Sequence, residues 1–172
     1  MSDLVLYPAF GSVQRIGVGL LRPWFARTGV DIRVGTLIPE NLDGKLPFVL
    51  VRSDRRTGRE SRTSRDERFL RTALLTVEVF TNGLNAEDDG YDIEESARLC
   101  LWDAWRRQVV VPDGGVISSI VASTDIARVS DYATSTGVVQ YASLPKNTVR
   151  HEAVYQVMVR PPQSTENLFI PA

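Results

Sequence analysis

The chain has 172 residues, 43% of them hydrophobic, and its 20 basic and 21 acidic side chains leave a formal charge of −1. That length suits a single domain able to bury roughly 70% of its unfolded surface, and the balanced charge excludes a dedicated nucleic-acid coat. Cys100 and His151 are the only cysteine and histidine, so an internal disulfide and a thiolate metal cage are excluded, and most hydrolytic or metal-dependent sites lose their usual base or ligands.

In chain order, the first residues show neither a basic region nor a long apolar run, which predicts no signal peptide. No stretch approaches the roughly 20 apolar residues of a membrane span. Val13, Ile16, Leu20 and Trp24 recur at helical spacing, predicting a helix over about residues 10–26 with Ser12 near its start, kinked or restarted at Pro23 and ended by Gly29. Val30, Ile32, Val34, Thr36 and Ile38 alternate as in a half-buried strand stopped by Pro39. Leu46-Pro-Phe-Val-Leu-Val-Arg52 is apolar on both faces, as in a strand covered on each side.

Residues 53–71 are almost devoid of apolar side chains and predict a long exposed loop. Arg56, Arg59, Arg62, Arg65, Arg68 and Arg71 recur in it at every third position. Each such step falls about 60° short of a helical turn, so the series would wrap a whole helix and cannot form one basic face. It reads as a loop presenting guanidinium groups in many directions, with Arg56, Arg59, Arg62, Arg65 and Arg68 as candidate contacts to acidic protein surfaces or phosphate. The plainer alternative is a solvated hairpin loop, partly neutralised by Asp54, Glu60, Asp66 and Glu67.

Leu74–Thr81 is a clear strand. A polar link, 82–90, ends in Glu87, Asp88 and Asp89 and leads to a helix predicted over Tyr91–Gln108. Acids before its start and Arg106 and Arg107 at its end both complement the helix dipole. Ile93, Ala97, Leu101, Ala104 and Gln108 trace its inner face, with Trp102 and Trp105 beside it. Pro112-Asp-Gly-Gly115 breaks the chain before a strand over Val116–Ser123. Val138–Leu144 and Val149–Arg160 predict a strand pair around the turn at Pro145-Lys-Asn147. The resulting fold class is α+β: a mainly antiparallel mixed sheet with two main helices on one face, in one domain over residues 1–162. Residues 163–172 form a tail in which Leu168, Phe169 and Ile170 are a candidate subunit contact.

This order resembles the tail terminator family of long-tailed bacteriophages. The likeness is carried by the N-terminal helix, the strand ending Val34-Gly-Thr-Leu-Ile-Pro39, and Leu46-Pro-Phe-Val-Leu-Val51. Thr76-Val-Glu-Val-Phe80 before an amphipathic helix and the closing strand His151-Glu-Ala-Val-Tyr-Gln-Val-Met-Val-Arg160 complete it. It covers roughly residues 10–160. The resemblance implies a structural virion protein, made in the host cytoplasm, whose homo-oligomeric ring, usually a hexamer, caps the tail tube and joins it to the head connector. Its implied partners are other copies, the tail tube protein and the head–tail connector protein, with transient contact to DNA in the lumen and no membrane. The family has no catalytic residues and no cofactor. The arginine-rich 52–71 segment departs from the family pattern. Alternative readings are another neck or tail component, such as a head completion or tail tube protein, or a nucleic-acid-binding module using the arginine loop.

The remaining polar motifs have structural explanations. His151 and Glu152 adjoin in a strand and so face opposite sides. Asp88, Asp89 and Asp92 lack calcium-loop spacing, and helix-terminal capping accounts for them more simply. Gly114-Gly115 is a turn, too short for a phosphate loop.

Overall fold

Helix α1 spans Val13–Phe25 in the computed structural model, which describes residues 11–54, 70–129 and 144–161. Val13, Ile16 and Leu20 face the core as their spacing predicts, but Leu21 and Phe25 complete the buried stripe. Trp24 is only half-buried. Pro23 lies in the last turn, where little helix remains to lose its bond, so the helix passes through it without restarting.

Strand β1 is much shorter than the alternation predicts, Arg33–Gly35 in place of 30–38. Ile32 N–H bonds back to the Val30 carbonyl in a turn, and Val30 is exposed. β1 runs parallel to β2 (Phe48–Asp54) at one edge of the sheet, matching Val34 with Val49. A one-turn 3-10 helix, Asp43–Lys45, lies between them, and the Leu46–Pro47 peptide bond is cis.

β2 turns back into β3 (Arg71–Thr81) in antiparallel register, Asp54 opposite Leu74. Ser53, Asp54 and Arg71 are therefore strand residues and not part of a loop. Helix α2 covers Ala86–Arg107, starting five residues before the predicted Tyr91. Glu87, Asp88 and Asp89 form its first turn instead of preceding it, where carboxylates favour the positive end of the helix dipole. Gln108 closes it in the left-handed conformation, with φ 51°. β4 (Val116–Arg128) outruns its predicted end at Ser123, with register shifts against β5 (Val149–Arg160).

The sheet order is β1-β2-β3-β5-β4. β5 is thus flanked by β3 and β4 along its length, which leaves no edge for the predicted hairpin partner at 138–144. Leu144 lies outside any strand, and residues 138–143 lie outside the described residues.

Both helices lie on one face, α1 over β1–β3 and α2 over β3–β5. Val49, Val51, Leu75, Val77, Val79, Ala153, Tyr155, Val157 and Val159 point toward them. Each fully buried aliphatic side chain contributes about 1.5–3 kcal/mol relative to exposure. The opposite face carries a smaller cluster, Phe48, Leu50 and Phe80, covered by Ile38, Leu42, Leu46 and Leu144. This second cover explains why β2 is apolar on both sides.

Candidate assembly surfaces

The predicted contact residues Arg56, Arg59, Arg62, Arg65 and Arg68, and Leu168, Phe169 and Ile170, lie outside the described residues. The strand register nevertheless places the points from which these segments depart. Arg71, at the start of β3, pairs with Val159 near the end of β5, and Val116 pairs with Arg160. The Gly11 N–H donates to the Gly114 carbonyl at 3.1 Å, bringing the start of α1 to the same end. Residues 1–10, 55–69 and 162–172 therefore all join the sheet–helix body at one end. No local sequence pattern signals this, because it depends on which strands pair.

That end is basic. Arg15, Arg71, Arg106, Arg107 and Arg160 are exposed there. Arg15 donates to the Asp113 carbonyl at 3.3 Å and Arg160 to Gln108 Oε1 at 3.2 Å. The other end of α2 carries Glu87, Asp88, Asp89 and Asp92, all exposed. Glu87 pairs with Arg128 at 2.8 Å, fastening the far end of β4 to the helix start. A chain of nearly zero net charge is thus polarised along α2.

A shallow groove of about 600 Å³ runs along the outer side of α2, lined by Trp24, Arg98, Leu99, Trp102, Asp103, Arg106 and Arg107. Its walls are held in place. Trp24 Nε1 donates to Ser96 Oγ at 3.0 Å, and the Arg98 guanidinium lies over the Trp102 ring, 5.6 Å from its centroid, while paired with Glu95. Trp102 also meets the Tyr155 ring edge-on at 5.7 Å. Leu99, in the centre, is 49% exposed.

On the sheet face away from the helices, Glu78 is fully buried and contacts Arg52 and, at 3.3 Å, Arg150; Arg52 also approaches Glu152 at 3.8 Å. Burial pushes the Glu78 carboxyl upward, and the Arg52 and Arg150 charges pull it back only in part. The group is two cations and two anions between β2, β3 and β5, an arrangement that fixes cross-strand register.

The opposite layer holds a buried polar set. Glu94 projects from α2 into the core, and among the described residues neither carboxylate oxygen is hydrogen-bonded. Burial, reinforced by the charges of Glu152 and Glu78, raises its carboxyl well above the ordinary 4.5. The Tyr155 hydroxyl and His151 Nδ1 are likewise buried without a hydrogen bond among the described residues. His151 packs against Gly90 so closely that a Cβ there would lie 2.5 Å from Nδ1, which explains a glycine inside α2. Burial lowers the His151 pKa, with Glu87 opposing and Arg128 adding to the shift. Glu152 points to the other face, as the strand alternation predicts.

The helical spacing that predicts an inner face through Ile93 misses Glu94, because an acid carries no signal of a core position. The stripe that is buried runs Ala86, Gly90, Glu94, Ala97, Leu101 and Ala104. Ile93 is half-buried, and Gln108 is exposed at the helix cap. Cys100 is buried, with its thiol pushed up to about 12 by desolvation, so it is held as a neutral thiol. Among the described residues no group of acidic, histidine or cysteine side chains is placed to hold a metal ion, and no helix is long and apolar enough to cross a membrane. No protein-family model matches the chain and no curated protein matches it.

Proposed function

We propose that this chain is a structural subunit that assembles with copies of itself into a ring, in the manner of tail terminator proteins of long-tailed phages. In this reading the ring, a hexamer, caps the tail tube and meets the head connector, and no catalysis is involved. The observation that carries it is that the described residues flanking three segments of the chain, Gly11, Asp54, Arg71 and Arg160, lie at one basic end of the fold. Three attachment points at one charged end suit a protein whose work is contact with neighbours above or below it. Cys100 and His151 are both buried, so neither is presented at the surface as a nucleophile or base, in keeping with this reading. Arginine at that end suits acidic surfaces of adjoining rings, since its planar fork bonds carboxylate oxygens in pairs.

Light scattering coupled to size exclusion, followed by negative-stain imaging, tests the reading directly. Rings of copies are expected, and loss of the gene should give tails of uncontrolled length. A protein that never forms closed oligomers but binds DNA with steep salt dependence would replace this reading with that of a nucleic-acid-binding module.

A further inference from the structure

Two features at opposite ends of α2 complement each other and cannot meet within one chain. The first is a knob. Leu84 is fully exposed at the tip of the turn between β3 and α2, and Asp88 and Asp89 follow it on the first helical turn. The turn is firmly held. Gly83 supplies a φ of +104°, the Thr81 hydroxyl donates to the Ala86 carbonyl at 2.5 Å, and Ala86 is buried. Among the described residues neither Asp88 nor Asp89 has an ion pair, whereas Glu87 is held by Arg128. An aliphatic side chain wholly in water beside two unpaired carboxylates gains nothing for the isolated fold.

The second feature is the groove of Trp24, Leu99 and Trp102, rimmed by Arg98, Arg106 and Arg107 with Asp103 as its one acid among the described residues. Arg98 and Arg107 are engaged by Glu95 and Asp103, but Arg106 is exposed and has no ion pair among the described residues. The groove therefore selects an apolar side chain flanked by negative charge. From Ala86 to Trp102 the helix rises about 24 Å, so a chain cannot place its own knob in its own groove.

We infer that Leu84 of one copy seats in the Trp24–Leu99–Trp102 groove of the next, with Asp88 and Asp89 facing Arg106. The inference rests on the self-assembly proposed above and names its interface. The contact joins two different patches, so it is heterologous. Such a contact repeats head to tail and closes into a ring when the rotation between copies permits. Buried aromatic walls around an aliphatic side chain form the type of centre that dominates interface energetics. The opposed charges orient the approach and set its salt dependence. Because both partners are pre-shaped, little ordering is needed on docking.

The experiment is sedimentation velocity on the full chain and three variants, with circular dichroism and melting curves to confirm that each is folded. Leu84→Ser, at an exposed turn, should weaken association at least about tenfold. Asp88→Arg/Asp89→Arg gives a basic knob facing a basic groove, and Arg106→Glu gives an acidic knob facing an acidic groove; each alone should associate poorly. Mixed in equal amounts, these two should associate again in alternation, since each knob then finds an opposite groove. Folded variants that self-associate like the unchanged chain, or a mixture that stays apart, would overturn the interface while leaving self-assembly standing. An unchanged chain that remains monomeric at every concentration would overturn both.

Discussion

Glu78 and Glu94 are both fully buried glutamates, one on each side of the same sheet. Glu78 lies on the side covered by a loop, and β2 and β5 bring Arg52 and Arg150 to it. Glu94 lies under α2, among Ala97, Leu101 and the apolar strand faces, with no hydrogen bond to either oxygen among the described residues. Both carboxyls are raised, and in each case burial is the leading cause. The difference is what happens when the side chain is removed. A charge buried with partners commits those partners, and a charge buried without them commits nothing.

The largest expected effect comes from breaking the paired side. Glu78→Leu leaves Arg150 buried beside Arg52 with their shared anion gone, and should destabilise the fold by about 3–5 kcal/mol. Urea unfolding at neutral pH measures it; a loss under about 1 kcal/mol would show that other contacts hold the two arginines.

On the unpaired side the sign reverses. Glu94 has a folded-state pKa above its unfolded value, so the folded chain binds the proton more tightly. Its stabilising contribution is complete below the unfolded value near 4.5 and is lost as pH rises toward the folded value. The slope is about 1.4 kcal/mol per pH unit in that window. Glu94→Gln should therefore melt higher than the unchanged chain at pH 7 and converge with it near pH 4. A variant less stable at pH 7 would mean that the carboxylate has a partner after all.

The smallest effect belongs to His151, whose folded pKa is depressed. The folded chain then resists protonation, so stability is full above about pH 6.5 and falls as pH drops below it, by at most about 1.4 kcal/mol per unit. His151→Gln should flatten the melting temperature between pH 6.5 and 5.5. An unchanged slope would place the acid sensitivity elsewhere.

These contrasts also mark what could be read from the chain. The strand at Val149–Arg160 and the two-faced apolar strand around Leu46–Arg52 are legible because strong alternation, or its absence, is a local property of the residues. β1 misled because alternation over 30–38 reports only the capacity to pair, and its neighbour offers a matching edge for just Arg33–Gly35. The start of α2 misled because acids suit both a polar link and a first helical turn. That the arginine segment and the C-terminal segment leave the sheet at one end has no sequence signal, because it depends on β3 pairing with β5.

By itself the sequence determined most of the helices and strands, where most of the core residues lie, and the α+β class, because periodicity and apolar content act over a few neighbouring residues. Tertiary structure alone decided the strand order, with β5 between β3 and β4 in place of a hairpin partner. It also decided which carboxylate meets an arginine, the shared end of three segments, and the separation of Leu84 from the aromatic groove along α2. Each of these depends on contacts between residues far apart in the chain, and their geometry is set by how the helices and strands pack, not by any short run of residues.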